Sequence, residues 1–188
     1  AAEARMPLCV IGPQTNIAEA LKREPAIADK ARFVSMAGSV HIGYKGNEEP
    51  QPEWNVLADV FAARAVFGAP WSITLDPLDV CGNLRLEGEL YKRMEASENP
   101  LAQVIMENYA AWVHRDKYSP DESSVLFDTV AAYMSWSEDL LKVETLPLSI
   151  DAKGMTVPDK ENGRPVRCAL EWKDRAAFEQ LLVERLTQ

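Results

Sequence analysis

Basic clusters, long apolar runs, histidines and paired cysteines are all scarce in this chain of 188 residues. Lys and Arg number 20 against 29 Asp and Glu, a net charge of −9, and no basic run is longer than Lys22-Arg23. A nucleic-acid partner is therefore not expected, because nothing here would replace the counterions of a polyanion. No apolar run approaches the roughly 20 residues of a membrane span, so no membrane partner is expected either. Cys9, Cys81 and Cys168 are odd in number and lack metal-type spacing, which argues against a disulfide framework and against zinc. Their apolar neighbours predict three buried free thiols. His41 and His114 are the only imidazoles, so His-based catalysis has little to work with. No G-x-G-x-x-G loop is present, which argues against a dinucleotide fold. What remains, 47% hydrophobic and 26% charged residues, is the composition of a soluble globular protein. The acidic surplus suits a small neutral ligand or a cation.

Strand and helix signals alternate along the chain. Pro7 to Ile11 reads as a buried strand closed by Gly12-Pro13, and Thr15 or Asn16 can cap the helix that follows. Arg32 to Met36 reads as a second strand, followed by a long Gly- and Pro-rich loop from Ala37 to Pro52, a length that suggests binding. Asp59 can cap a helix to Phe67 that is apolar nearly all round and so expected to be buried. Trp71 to Leu75 predicts a third strand. Asn99-Pro100 opens a helix with Leu101, Ile105, Tyr109 and Trp112 on one stripe. Another helix is expected from Thr129 to Trp136, with Asp128 as a possible N-cap. Leu141 to Ile150 and Pro165 to Trp172 alternate as strands, and Asp174 caps a last helix. The pattern predicts one α/β domain over residues 1–188, with an open, mostly parallel sheet and helices on both faces. A sheet whose first strand starts at residue 7 is expected to be incomplete at its N-terminus.

Four stretches taken in order resemble the inosine-uridine preferring nucleoside hydrolase family. They are Ile11-Gly-Pro-Gln-Thr-Asn16, Val34-Ser-Met-Ala-Gly38, the loop from Gly46-Asn47 to Pro52-Glu53-Trp54-Asn55, and Leu126-Phe127-Asp128. Ala58-Asp59, Ala62-Ala63, Val66-Phe67 and Leu78-Asp79-Val80 fall between them at matching spacing. The resemblance implies hydrolysis of a nucleoside N-glycosidic bond in purine or pyrimidine salvage, through an oxocarbenium-like transition state. It also implies a Ca²⁺ ion that seats the ribose and acidifies the attacking water.

By the same resemblance Asp128 is a calcium ligand and part of the catalytic set, and the Ile11 backbone carbonyl is a second ligand. Asn47, Glu53 and Asn55 hold the sugar, Asn55 acting in catalysis as well. Met36 and Phe127 pack on the nucleoside, with Trp54 beside them. Glu53, as a loop residue, is expected to matter for substrate and little for folding. A homo-oligomer and a cytoplasmic setting are the accompanying expectations. Asp76 and Asp79 flank Pro77 at a strand end; Asp79 is expected to do structural work. His41 is expected to be exposed in its loop, and His114 to be a charge partner near a helix end.

Two departures stand out. The family's Asp-x-Asp-x-x-x-Asp-Asp loop, which supplies the general base and most calcium ligands, is not among these 188 residues. The base and a partner segment are therefore expected outside the chain, and the chain by itself is expected to be inactive. Phe127 also stands where familiar members carry a His that helps protonate the leaving base. The alternative reading is a non-catalytic riboside-binding or interaction subunit of the same fold.

Overall fold

A computed structural model describes residues 5–188. Six strands form one sheet in the order β1-β2-β3-β6-β4-β5: β1 (Met6–Val10), β2 (Ala31–Met36), β3 (Ile73–Asp76), β4 (Leu141–Ile150), β5 (Thr156–Pro158) and β6 (Arg164–Trp172). The strands β1, β2, β3 and β6 run parallel to one another, while β4 is antiparallel to both β6 and β5. The expected open α/β sheet is thus present, with an antiparallel hairpin on one side.

The helices are α1 (Thr15–Arg23), α2 (Ile27–Lys30), α3 (Trp54–Leu57), α4 (Val60–Gly68), α5 (Leu78–Cys81), α6 (Gly88–Glu95), α7 (Pro100–Ala111), α8 (Phe127–Met134) and α9 (Arg175–Thr187). The two-residue period of a strand sends alternate side chains to opposite faces. Phe33 of β2 and Val166, Cys168 and Leu170 of β6 pack with Val66 and Phe67 of α4. Val34 and Met36 of β2 and Ala169 of β6 pack with α5, α8 and α9 on the other face. Helices therefore cover both faces.

Sequence signals set the helix starts where capping chemistry is available. The Asp59 Oδ1 accepts from the Ala62 N–H at 3.0 Å, Asn99 accepts from Leu101 N–H at 2.8 Å, and Asp174 accepts from Ala177 N–H at 2.9 Å. Asp128 is not a cap: it lies in the first turn of α8, with Leu126 at the cap position.

Four expectations about exposure are corrected. Among the described residues β1 is the outermost strand on its side, with Met6 74% exposed and Cys9 exposed; helix α8 packs chiefly over β2 and β3. Only Cys81 and Cys168 are buried thiols, and burial pushes the Cys168 thiol up to about 12. Helix α4 is two-faced, because the 3.6-residue period turns Phe61, 87% exposed, away from Ala62, Ala63, Val66 and Phe67. On α7 the inward side carries Ala102, Met106 and Tyr109, while Leu101 and Ile105 are exposed.

Candidate functional site

Parallel strands deliver their C-terminal ends to one edge of the sheet, where connecting loops are free to build a crevice. Ile11 follows β1, Met36 ends β2 and Asp76 ends β3. Over these ends lie the loop 37–53 and the first turn of α8.

The loop is held by carboxylates that grip backbone N–H groups. The Asp79 oxygens accept from Val40 N–H at 2.9 Å and His41 N–H at 2.8 Å, the structural work expected of it. Glu53 caps α3: Oε1 accepts from Asn55 N–H at 2.8 Å, and Oε2 from Gly38 N–H at 3.1 Å and Val56 N–H at 3.3 Å. Gly38 is there by necessity. It sits at φ +85, and a Cβ on it would lie 2.6 Å from the Thr156 hydroxyl of β5. Glu53 is consequently a folding residue, against the expectation that it would matter little for folding. Of its four or so acceptor positions, three are committed to the backbone.

A cavity of about 340 Å³ opens above these groups, lined by Ile11, Met36, Tyr44, Glu53, Trp54, Asn55, Phe127 and Asp128. Residues far apart in sequence thus meet at one place. Asn47 does not line it. It is exposed at the end of the 3-10 turn Tyr44–Gly46, and its Oδ1 accepts from Glu49 N–H at 3.3 Å.

The Asn55 amide is oriented by its surroundings. Its Nδ2 donates to the Met36 carbonyl at 3.1 Å and the Met36 Sδ at 3.3 Å. A carbonyl demands a donor, so the amide oxygen is the end left to accept from a ligand. Asp128 accepts no hydrogen bond among the described residues, and desolvation alone raises its carboxyl above the usual carboxylate range. Burial raises Glu53 as well, with three backbone donors opposing the rise and Asp128 adding to it. Beneath them Asp76 is wholly buried. Its Oδ2 accepts from Ala131 N–H at 3.1 Å, its Oδ1 has no partner, and burial pushes its carboxyl well above the ordinary value. Neither Asp76 nor Asp79 lines the cavity.

Three aromatic residues form the other wall. Trp54 is 65% exposed, and Tyr44 meets Phe127 edge to face at 6.2 Å. The Tyr44 hydroxyl accepts from Trp54 N–H at 2.7 Å, tying two of these residues together. Tyr44 escaped the sequence reading; its only signal was a lone aromatic between Gly43 and Gly46. His41 is exposed. His114 follows the C-terminal end of α7, stacks edgewise on Trp112 at 5.4 Å and forms no ion pair among the described residues.

The donors fit a hard cation in kind. Asp128 supplies a carboxylate with no counter-charge among the cavity's lining residues, and Ile11 lines the same cavity. They do not fit in number. No three His, Cys, Asp or Glu side chains converge among the described residues, and calcium takes six to eight oxygens. No described helix is long and apolar enough to cross a membrane.

A family model described as inosine-uridine preferring nucleoside hydrolase matches residues 1–180. The inosine-uridine preferring nucleoside hydrolase of Crithidia fasciculata is 28% identical over 177 residues, covering 90% of this chain and 55% of that protein. The pyrimidine-specific ribonucleoside hydrolase RihA of Shewanella woodyi is 30% identical over 195 residues, covering 98% of this chain and 62% of that protein. The chain therefore spans between half and two thirds of the length of these relatives. Among solved structures, a purine-preferring ribonucleoside hydrolase from Gardnerella vaginalis superposes with a TM-score of 0.80 at 21% identity, over 96% of this chain and 60% of that one. That likeness establishes the fold.

Proposed function

The chain belongs to the inosine-uridine preferring nucleoside hydrolase family, and from that premise we propose that it forms the sugar- and base-binding part of a ribonucleoside hydrolase. The substrate is a small-molecule nucleoside, and the products are free base and ribose. The observation that carries this reading is the cavity itself, which gathers Ile11, Met36, Glu53, Asn55, Phe127 and Asp128. Only Asn47, of the residues the resemblance marks, lies outside it.

In this reading the ribose sits against the polar wall. The Asn55 oxygen accepts from a sugar hydroxyl, and the one uncommitted acceptor position of Glu53 can take a second. The base lies against Trp54, Phe127 and Tyr44, whose ring faces and edges suit a flat heterocycle. The C1′–N bond breaks as water adds to C1′. The water's proton goes to a general base outside these residues, and the base leaves carrying a proton that Phe127 cannot provide. Ca²⁺ would be held here by Asp128 and the Ile11 carbonyl together with ligands from beyond this chain; when bound it seats the sugar diol and acidifies the water. A homo-oligomer in the cytoplasm completes the reading.

Two features favour a second reading, a non-catalytic riboside-binding subunit: Phe127 is not ionisable, and Glu53 is largely spent on the backbone. Steady-state assays on inosine and uridine separate the two, run on the chain together with an aspartate-rich segment supplying the base. Hydrolysis that disappears in Asp128→Ala, with loss of calcium binding, supports the enzyme. Ribose binding without turnover supports the binder. In Phe127→His, calcium affinity should stay and preference should move toward bases that need protonation; lost calcium binding there would contradict the assignment.

A further inference from the structure

A second cavity of about 390 Å³ lies between α6, α7 and α9 and is walled almost entirely by apolar groups. We propose that it is a binding site for a small, uncharged aromatic molecule, separate from the carboxylate-lined cavity and going beyond the nucleoside reading.

Its size sets it apart from a packing defect. It opens to solvent past Ile105, 36% exposed, so a ligand can enter, and water inside would find few partners. The Ser123 hydroxyl already accepts from Leu86 N–H at 2.9 Å and donates to the Ser124 carbonyl at 2.7 Å. The Thr129 hydroxyl donates to the Leu126 carbonyl at 2.9 Å. That leaves the Ser124 hydroxyl as a single polar handle.

One wall is fixed in advance. Tyr91 and Tyr109 meet at 6.4 Å and 75°, and Arg115 lies over both rings, 5.9 and 4.7 Å from their centroids. Its guanidinium is anchored to the carbonyls of Tyr118, Ser119 and Pro120 at 3.1, 2.9 and 2.8 Å. The Tyr109 hydroxyl donates to the Glu122 carbonyl, and the Tyr91 hydroxyl accepts from Arg115. Both phenols are thus occupied, and the rings offer the cavity their apolar surface. Met94 and Met106 complete the lining with thioethers, which adapt to shape and favour aromatic contacts. No charged side chain lines the cavity, so an ionised ligand would lose its hydration without compensation. A nucleoside would leave most of its hydroxyls unpartnered.

The cavity also touches the entry of α8: Leu126 and Thr129 line it and straddle Phe127 and Asp128. An occupant would brace the turn that carries the Asp128 carboxylate.

The test is titration of the 188-residue chain, carbon-13 labelled at its methionine methyls, with indole. The Met94 and Met106 signals should shift saturably while Met36, in the other cavity, stays still. Indole-2-carboxylate should give no such shift. Filling the space with Leu186→Phe, or with Leu182→Phe should the first variant not fold, should weaken indole binding at least about tenfold. The proposal is overturned if Met94 and Met106 do not respond up to the solubility of indole, if Met36 responds instead, or if a folded filled variant binds as well as the parent. Neither metal nor nucleoside enters the measurement, so failure of the hydrolase reading would leave this result intact, and the reverse.

Discussion

The mouth of the parallel strands and the antiparallel hairpin treat their charges in opposite ways. On the hairpin, charges are matched across strands and to the adjacent loop: Lys142 pairs with Glu171, and Arg167 with Glu138. At the mouth, Glu53 and Asp128 line a cavity that no Lys or Arg lines, Asp76 is buried beneath it, and burial raises all three carboxyls above their ordinary values. Two pairs there finish four charges from within the chain. The mouth is finished only by protons, a cation or a ligand, which is where function resides in a fold of this kind.

The largest expected effect would break that contrast at its structural centre. Glu53→Ala strips the acceptor from three backbone N–H groups, and buried donors left without partners cost about 1–3 kcal/mol each. Destabilisation of about 3 kcal/mol or more should appear in urea unfolding, with Glu53→Gln intermediate because one oxygen remains. A Glu53→Ala chain as stable as the parent would mean that the loop does not depend on this clamp.

A middle-sized effect concerns pH. Where a carboxyl has a higher pKa folded than unfolded, the folded state binds more protons between the two values, so stability falls as pH rises through that window. With Asp76 raised furthest by burial, the chain should melt at a higher temperature near pH 5 than near pH 8. Asp76→Asn, which cannot ionise, should flatten that dependence. A parent chain whose melting temperature climbs steadily from pH 5 to 8 would show that the buried carboxyls do not govern the profile.

The smallest effect lies on the hairpin. Lys142→Ala removes an exposed partner from Glu171, whose carboxyl that lysine holds below its usual range. Pairs of this kind are screened by water, so its melting curve should overlay that of the parent. A clear drop would remove the contrast between the two regions.

Much of this was legible in the sequence, for identifiable reasons. Asp59, Asn99 and Asp174 marked helix starts because a short polar side chain before an apolar run has one economical use. The ordered motifs marked six of the eight cavity residues by resemblance, and Trp54 was placed beside them as an aromatic neighbour. What escaped depended on tertiary neighbours. Strand β1 read as buried from its apolar run, but among the described residues no strand pairs beyond it. The backbone clamp made by Glu53 was not foreseen, because nothing local announces that Gly38, fifteen residues earlier, would donate to it. Asn47 read as a sugar ligand by position in the motif, yet the 3-10 turn at Tyr44–Gly46 leaves it outside the cavity wall.

The position of β6 has a consequence for how the chain is made. It is the last strand in sequence, yet it lies between β3 and β4, parallel to one and antiparallel to the other. Ile73 must wait for Val166, more than ninety residues later, before its strand gains that neighbour. During synthesis both β3 and β4 therefore present open, hydrogen-bonding edges until the ribosome has released residues 164–172. Pairings so distant in sequence form slowly, and unpaired edges recruit other chains. Nascent chains stalled before residue 164 should accordingly be captured by chaperones or aggregate, while those that have cleared residue 172 should close the sheet and resist both.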